Sequence, residues 1–379
     1  MSGRITALDV LRGVAILGTL GTNIWVFTSP RGAPSFIEGF GSAAAGGAES
    51  VLLALSNGKF LALLSILFGV GLALQHGAAV RRGARWPGWY LWRSALLLLE
   101  GLAHYLLIFE FDVLMWYAVV SVFVAYLVGR HGRVINRWMV AAGVVHLAFV
   151  GLVTAALVAG EAEAGGAPVP GDTTNWLAQV AARVEFFATY RAEVFFVLPL
   201  STLLFLAGAR LLRAGALEDS DRGRRLRVRL IGWGLGAGVP MTVAAGVAGG
   251  DWFLFDRYVC APVVAFGLLG LVTSLVLGMR PAPGLVRRGL TSVGRMALTC
   301  YIAQNLIASI VFYQWGFGLA AHVGSNVPLW TAVGWLLISA VLMAAASWWL
   351  GRFSRGPVEA FWQWAYQAPQ RRREPQPVR

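Results

Sequence analysis

The chain has 379 residues, of which 58% are hydrophobic and only 13% charged. A soluble domain carries roughly twice that charged fraction, so the composition excludes an ordinary soluble enzyme and indicates a polytopic all-α membrane protein. The net charge of +13 does not imply nucleic acid as a partner, because arginine collects in cytoplasmic loops by the positive-inside rule and no aromatic-interleaved basic domain is present.

Apolar stretches predict about ten transmembrane helices, at 8–28, 51–76, 89–108, 111–129, 137–160, 193–213, 230–248, 256–279, 295–317 and 328–351. Alternate connections are basic: Arg81, Arg82 and Arg85; Arg130, Arg133 and Arg137; Arg210 to Arg229; Arg280, Arg287 and Arg288; and the tail with Arg371, Arg372 and Arg373. The opposite connections carry Glu161, Glu163 and Asp172, then Asp251 and Asp256. Both termini are therefore expected in the cytoplasm. The chain reads as a six-helix half over 1–230 and a four-helix half over 231–366 of one integral domain, with a basic tail at 367–379.

The first stretch resembles a signal peptide, but its apolar run is too long and holds Asp9 and Arg12, so an uncleaved span is expected. Asp9, Arg12 and Asn23 lie within about 60° of one another on a helix turning 100° per residue. Asn23 sits about 16 Å beyond Arg12 along the axis. They suit either an anchor pair plus a packing amide or one wall of a cytoplasm-facing cavity. In the second stretch, "SNGKF" sets Asn57 and Gly58 as helix breakers beside Lys59, which either snorkels or points inward.

The hairpin "LLLLEGLAHYLLIFEFDVLMWYA" places Glu100 and His104 four residues apart on one helical face, with Glu110 and Asp112 in the turn. Ionisable residues within spans are costly and default to a functional site. A carboxylate bonded to one imidazole nitrogen fixes the tautomer and makes the other more basic, so His104 is a candidate general base or acyl carrier oriented by Glu100 or Asp112. His146, alone on an apolar face, reads as a packing residue.

The loop 161–192 predicts a short amphipathic interfacial helix from Trp176, Val180, Val184 and Phe187, either a plain cover or a substrate lid. "GWGLGAG" follows no strand, so it reads as close helix packing rather than a nucleotide loop. Cys260 and Cys300 fall inside spans and are expected to be inert thiols, and no metal-ligand spacing occurs. The ninth stretch puts Tyr301, Gln304 and Asn305 on one face, with Arg295 at the cytoplasmic entrance, where it could hold a phosphate or simply anchor the helix.

The blocks "RITALDVLRGVAILGTLGTNI", "GKFLALLSILFGVG", "GLAHYLLIFEFDVLMWYA" and "VGRMALTCYIAQNLIASIVFYQWGFGL", followed by "RGPVEAFWQWAY", resemble the YeiB-like family of bacterial membrane proteins from Arg4 to about Tyr366. That family is similar to transmembrane acyltransferases, including the lysosomal heparan-α-glucosaminide N-acetyltransferase. The resemblance implies about ten helices in the bacterial cytoplasmic membrane. It also implies an acyl-CoA co-substrate (acetyl-CoA first) taken from the cytoplasm, and a small-molecule, lipid or glycan acceptor on the far side. It points to Asp9, Arg12, Gly13, Asn23, Lys59 and His104. Phe111 stands where the family has Gly before the aspartate, leaving the local turn open, and Cys300 stands where Asn is common. The expected roles are catalytic for His104, Glu100 and Asp112, donor-binding for Arg12, Asn23 and Arg295, and acceptor-binding for Asp9, Lys59, Tyr301, Gln304 and Asn305. No metal is expected; a homodimer is left open. A transporter using the same polar residues as a path is the rival reading.

Overall fold

The computed structural model describes residues 2–38, 47–161, 171–279, 284–324 and 326–371. Of the residues singled out above, Glu163, Arg280, Arg372 and Arg373 lie outside the described residues.

In chain order the helices are α1 (Ser2–Thr28), α2 (Ala33–Glu38), α3 (Gly47–Ser56), α4 (Lys59–Arg81), α5 (Trp89–Leu107), α6 (Leu114–Val128), α7 (Gly132–Val158), α8 (Trp176–Glu185) and α9 (Phe187–Tyr190). They continue with α10 (Val194–Arg213), α11 (Asp221–Gly236), α12 (Gly238–Ala248), α13 (Phe253–Phe255), α14 (Ala261–Gly278), α15 (Leu285–Arg295), α16 (Ala297–Phe312), α17 (Val327–Leu350) and α18 (Pro357–Arg371). No strand forms among the described residues.

Among the described residues, seven stretches are long and apolar enough to cross a membrane, eight if α15 and α16, bent by 98° at Met296, make one span. This is a multi-pass membrane protein. The sequence-derived limits need correction in three places. The stretch at 111–129 becomes the shorter α6, because the chain is still turning through Phe109–Val113. The ninth stretch splits at the bend and its helix ends at Phe312, not 317. Gly58 interrupts the second stretch, as its neighbours suggested. The stretch at 230–248 starts earlier, at Asp221, and the half-boundary drawn at residue 230 falls inside α11.

The arrangement follows from which faces are small. α1 is central: its spanning window is 78% buried, against 28% for α7, 22% for α11–α12 and 28% for α17. The peripheral helices turn Val140, Val144, Leu147 and Leu152 of α7, and Leu336, Leu337 and Val341 of α17, outward as a lipid-facing surface. α1 and α15 run antiparallel in close contact. A Cβ on Gly13 would lie 2.1 Å from Leu290 O, and one on Gly294 1.8 Å from Asp9 O, so both crossings require glycine. The "GWGLGAG" run behaves likewise: Gly234 and Gly238 face α14 at contact distance, while Gly232 and Gly236 meet nothing within 4 Å. Cys260 and Cys300 are free and buried. His146 is buried in the helix packing, with Nε2 2.8 Å from Tyr258 O and Nδ1 without a hydrogen-bond partner among the described residues.

Candidate functional site

α5 and α6 cross where Gly101 lacks a side chain; a Cβ there would lie 2.5 Å from Met115 N and 3.0 Å from Asp112 Oδ1. That approach sets Asp112 beside His104, one turn further along α5. His104 Nδ1 lies 2.9 Å from Asp112 Oδ2, and both side chains are fully buried. The other carboxylate oxygen accepts the Met115 N–H at 3.2 Å at the mouth of α6. Tyr301 of α16 donates its hydroxyl to Asp112 Oδ2 at 3.2 Å. Asn305, one turn on, places Nδ2 3.2 Å from His104 Nε2, and Asn23 Nδ2 donates to Asn305 Oδ1 at 3.1 Å. An amide NH₂ can only donate, so Nε2 accepts and the ring proton sits on Nδ1, toward Asp112. Gln304 Nε2 donates to Thr19 Oγ1 at 3.2 Å, tying α16 to α1 alongside.

The partner of His104 is therefore Asp112, not Glu100. Glu100 shares its helical face but its carboxylate oxygens, though buried, accept no hydrogen bond. It faces α18 instead, because α5 abuts that helix at the Trp92 Nε1 bond to Ala365 O, 3.2 Å. The Phe111 turn forms without glycine: no described non-glycine residue has positive φ, and Phe111 packs edge-on against Phe109 at 5.8 Å.

The remaining candidates fall into two other groups rather than one shared cavity. Arg12 and Arg295 line a cavity of about 600 Å³ between α1, α4, α5, α15, α16 and α18, together with Arg93, Arg355, Gln75 and Glu359. Asp9 holds Arg12 at 3.4 Å but does not line the cavity. Arg93 lies over Trp362 at 4.5 Å. Glu359 caps α16: its Oε1 accepts Leu298 N–H at 2.8 Å and Thr299 N–H at 3.1 Å, and Oε2 accepts the Thr299 hydroxyl at 2.5 Å. Asn23 does not reach this cavity; it lines a second, small one of about 20 Å³ with Thr19, Thr22, Phe111, Arg257 and Tyr301. That volume is about one water.

Lys59 forms the third group. Gly58 takes φ +69° where α3 gives way to α4, and a Cβ would sit 2.4 Å from Arg257 O. The break turns Lys59 inward, 3.8 Å from Asp256 Oδ2, which also accepts Asn57 Nδ2 at 2.9 Å. Arg257 donates to Asn57 Oδ1 at 3.3 Å and pairs with Glu193 at 3.5 Å. Lys59 thus serves a buried charge network rather than lining either cavity.

Residues 211–368 match the model of a family described as a protein of unknown function, DUF418. The uncharacterized protein YxaH of Bacillus subtilis (strain 168) is 27% identical over 390 residues, 95% of this chain and 93% of that one. The uncharacterized protein YeiB of Escherichia coli (strain K12) is 28% identical over 391 residues, 95% of each chain. The chain is thus similar to both proteins over nearly its whole length. No solved structure matches it. Neither relative's description states an activity, so for this chain the chemistry rests on the geometry above.

Sequence reasoning missed the two arginines that frame the dyad turn. Arg183 of α8 is 1% exposed; its Nε and Nη2 donate to Glu110 Oε1 at 3.1 and 2.9 Å, and its Nη1 to Leu106 O at 3.0 Å. Tyr105 returns a bond to Arg183 O at 2.6 Å, and Trp176 Nε1 donates to Leu107 O at 2.8 Å. Together these satisfy carbonyls at the C-terminus of α5 that no helical N–H can reach. Arg191 donates to Asp112 O at 2.7 Å and lies over Tyr105 at 4.1 Å. The readable signal was two arginines in an otherwise acid-rich connection, against the charge rule that the other loops obey.

Proposed function

We propose that this protein is a membrane acyltransferase carrying an acyl group, acetyl the first to test, from an acyl-CoA to a hydroxyl or amine. The observation that supports this best is the pairing of a buried His–Asp dyad with an arginine-lined cavity on the same two helices. α5 contributes Arg93 and Leu97 to the cavity and His104 to the dyad, about 10 Å further along its axis. α16 contributes Leu298 to the cavity, then Tyr301 and Asn305 to the dyad. Four arginines around one cavity match the several phosphates of a CoA thioester, which arginine binds by bidentate, charge-assisted hydrogen bonds. The acyl end would then extend along α5 toward His104.

In this reading His104 Nε2, held with its lone pair free by the Nδ1–H bond to Asp112, takes the proton of the acceptor's O–H or N–H as Asn305 yields. The acceptor atom bonds to the thioester carbonyl carbon, the C–S bond breaks, and the departing thiolate receives the proton as CoA–SH. Asp112 positions the ring and stabilises its charged form.

We place ten spans in the bacterial cytoplasmic membrane by counting the bent α15–α16 pair once and adding α5 and α6, with both ends and the arginine-lined cavity on the cytoplasmic side. The arginines at the ends of α4, α10 and α15 support that side, as does the positive-inside rule.

Purified protein in nanodiscs would be given labelled acetyl-CoA and candidate acceptors, with CoA release followed by a thiol reagent. His104→Ala should lower transfer about 10²–10⁴-fold while donor affinity stays near the parent's. Arg12→Ala or Arg93→Ala should weaken donor binding about 10–100-fold, the worth of one charged hydrogen bond. Equal transfer by parent and His104→Ala would sink the mechanism. A transporter is the second reading, favoured by the small polar cavity beside the dyad as a step on a substrate path. Uptake into proteoliposomes by a His104→Ala protein that binds no acyl-CoA would establish it.

A further inference from the structure

On the opposite side of the dyad turn from the arginine-lined cavity lies another cavity, of about 330 Å³, between α2, α8 and the loop after α16. That volume falls in the range of small-molecule sites, roughly 300–1,000 Å³. Its charge is the inverse of the first: Glu110, Asp172 and Glu185 line it against Arg31. Hydrogen bonds from the Thr174 hydroxyl, 2.6 Å, and backbone N–H, 2.7 Å, hold the Asp172 carboxyl below the usual carboxylate range, so it stays anionic. Arg183 neutralises one oxygen of Glu110; the other has no partner.

Two tyrosines, buried as side chains with their hydroxyls open to the cavity, point to a ligand independently. Tyr190 and Tyr313 line the cavity with 4% and 1% exposure. Neither hydroxyl makes a hydrogen bond to the described residues. A buried tyrosine hydroxyl normally finds a partner. Their rings are fixed, Tyr313 against Phe27 at 5.3 Å and Tyr190 edge-on to Phe111 at 6.4 Å, so neither can swing away to find one.

We infer that this acid-lined cavity binds a small hydroxylated amine in its ammonium form, the carboxylates holding the charge and the tyrosine hydroxyls the ligand's oxygens. Three carboxylates against Arg31, with Arg183 pairing one of them, leave the recess net negative, which attracts cations and repels anions. The floor leads to the dyad: Phe111 touches Tyr190 here and lines the small cavity with Asn23 and Tyr301 on its other side. Glu110 and Asp112 stand two residues apart in the same turn. The inference rests on the acyl-transfer reading only in calling this ligand the acceptor. An ammonium held by carboxylates is not nucleophilic, so a hydroxyl of the same molecule is the group offered for acylation.

The test uses the full chain in nanodiscs without any acyl donor. Serinol (2-amino-1,3-propanediol), glycerol and glycerate are compared by ligand-observed saturation-transfer NMR titration. They share a three-carbon frame and differ in one cationic, neutral or anionic group. Serinol should bind at least tenfold more tightly than glycerol, and glycerate not at all. Glu185→Gln and the isosteric Tyr190→Phe should each reduce serinol affinity several-fold. Glycerol or glycerate binding as tightly as serinol overturns the inference, as does unchanged serinol affinity in both variants. Serinol preference without any acetylated product supports the site while removing the acyl-transfer reading. Transfer to some acceptor without serinol preference does the reverse.

Discussion

Asp112 is held from four directions: by His104, Met115 N–H and Tyr301 at its carboxylate, and by Arg191 at its carbonyl. A side chain so constrained contributes orientation rather than bulk. Asp112→Asn keeps the shape but can offer an N–H where His104 needs an acceptor, which turns the ring proton to Nε2 and removes the base. Transfer should fall about 10²-fold or more, with donor affinity preserved and the unfolding temperature little moved. Tyr301→Phe removes one of several bonds to Asp112 and should cost under tenfold. Equal losses from the two substitutions would show that Asp112 acts through packing alone. Asp112 was legible as a candidate, yet its choice over Glu100 was not. Spacing along α5 favoured the residue four positions away, whereas the turn after α5 folds the distant carboxylate back onto the imidazole.

At the scale of elements, α3–α4 and α15–α16 are interrupted helices: the first break turns Lys59 inward, and the second frees the Leu298 and Thr299 N–H groups that Glu359 caps. Gly58 supplies a left-handed residue and a surface against Arg257 O, so Gly58→Ala should be poorly tolerated, as strain and overpacking act together. Gly294→Ala pushes α15 off α1 and should cost about 1–3 kcal/mol, read as a lower unfolding temperature in detergent. Thermal curves that overlay the parent's would contradict that close crossing. α8 is latched by Arg183, so Arg183→Ala should expose the segment before α8 to protease without lowering helix content by circular dichroism. The break at Asn57-Gly58 was readable from residue chemistry. The 98° bend was not, because a lone glycine such as Gly294 weakens a helix without ending it, and only the approach of α1 makes that glycine necessary.

For the whole molecule, orientation follows from counting. With ten spans, a cysteine placed at Ser220 should label from the cytoplasmic side and one at Gly171 from the other. Labelling of both from one side would exclude the proposed topology. Hydropathy and alternating arginines carried the helical class and the rough span positions, since lipid imposes both on any sequence. The separation of the polar residues into a dyad, an arginine-lined cavity and the Lys59 network was not legible. Asp9, Arg12 and Asn23 share a helical stripe, yet a stripe extending 20 Å or so passes several neighbours, and here it meets α15 at one end and α16 at the other.

The burial of α1 bears on how the protein is made. α4 reaches it early, but its other main partners α14, α15, α16 and α17 follow it by more than 230 residues. At about 5–20 residues per second, α1 waits on the order of ten seconds or longer before they emerge from the ribosome. Throughout that interval Arg12 and Asn23 have neither Arg295's cavity nor Asn305 beside them. With only α4 to cover it, the nascent helix is expected to stay at the insertion machinery rather than be released into lipid. Ribosome-stalled chains ending near residue 250 should therefore crosslink from Asn23 to translocation or insertase components, and chains ending beyond residue 350 should not.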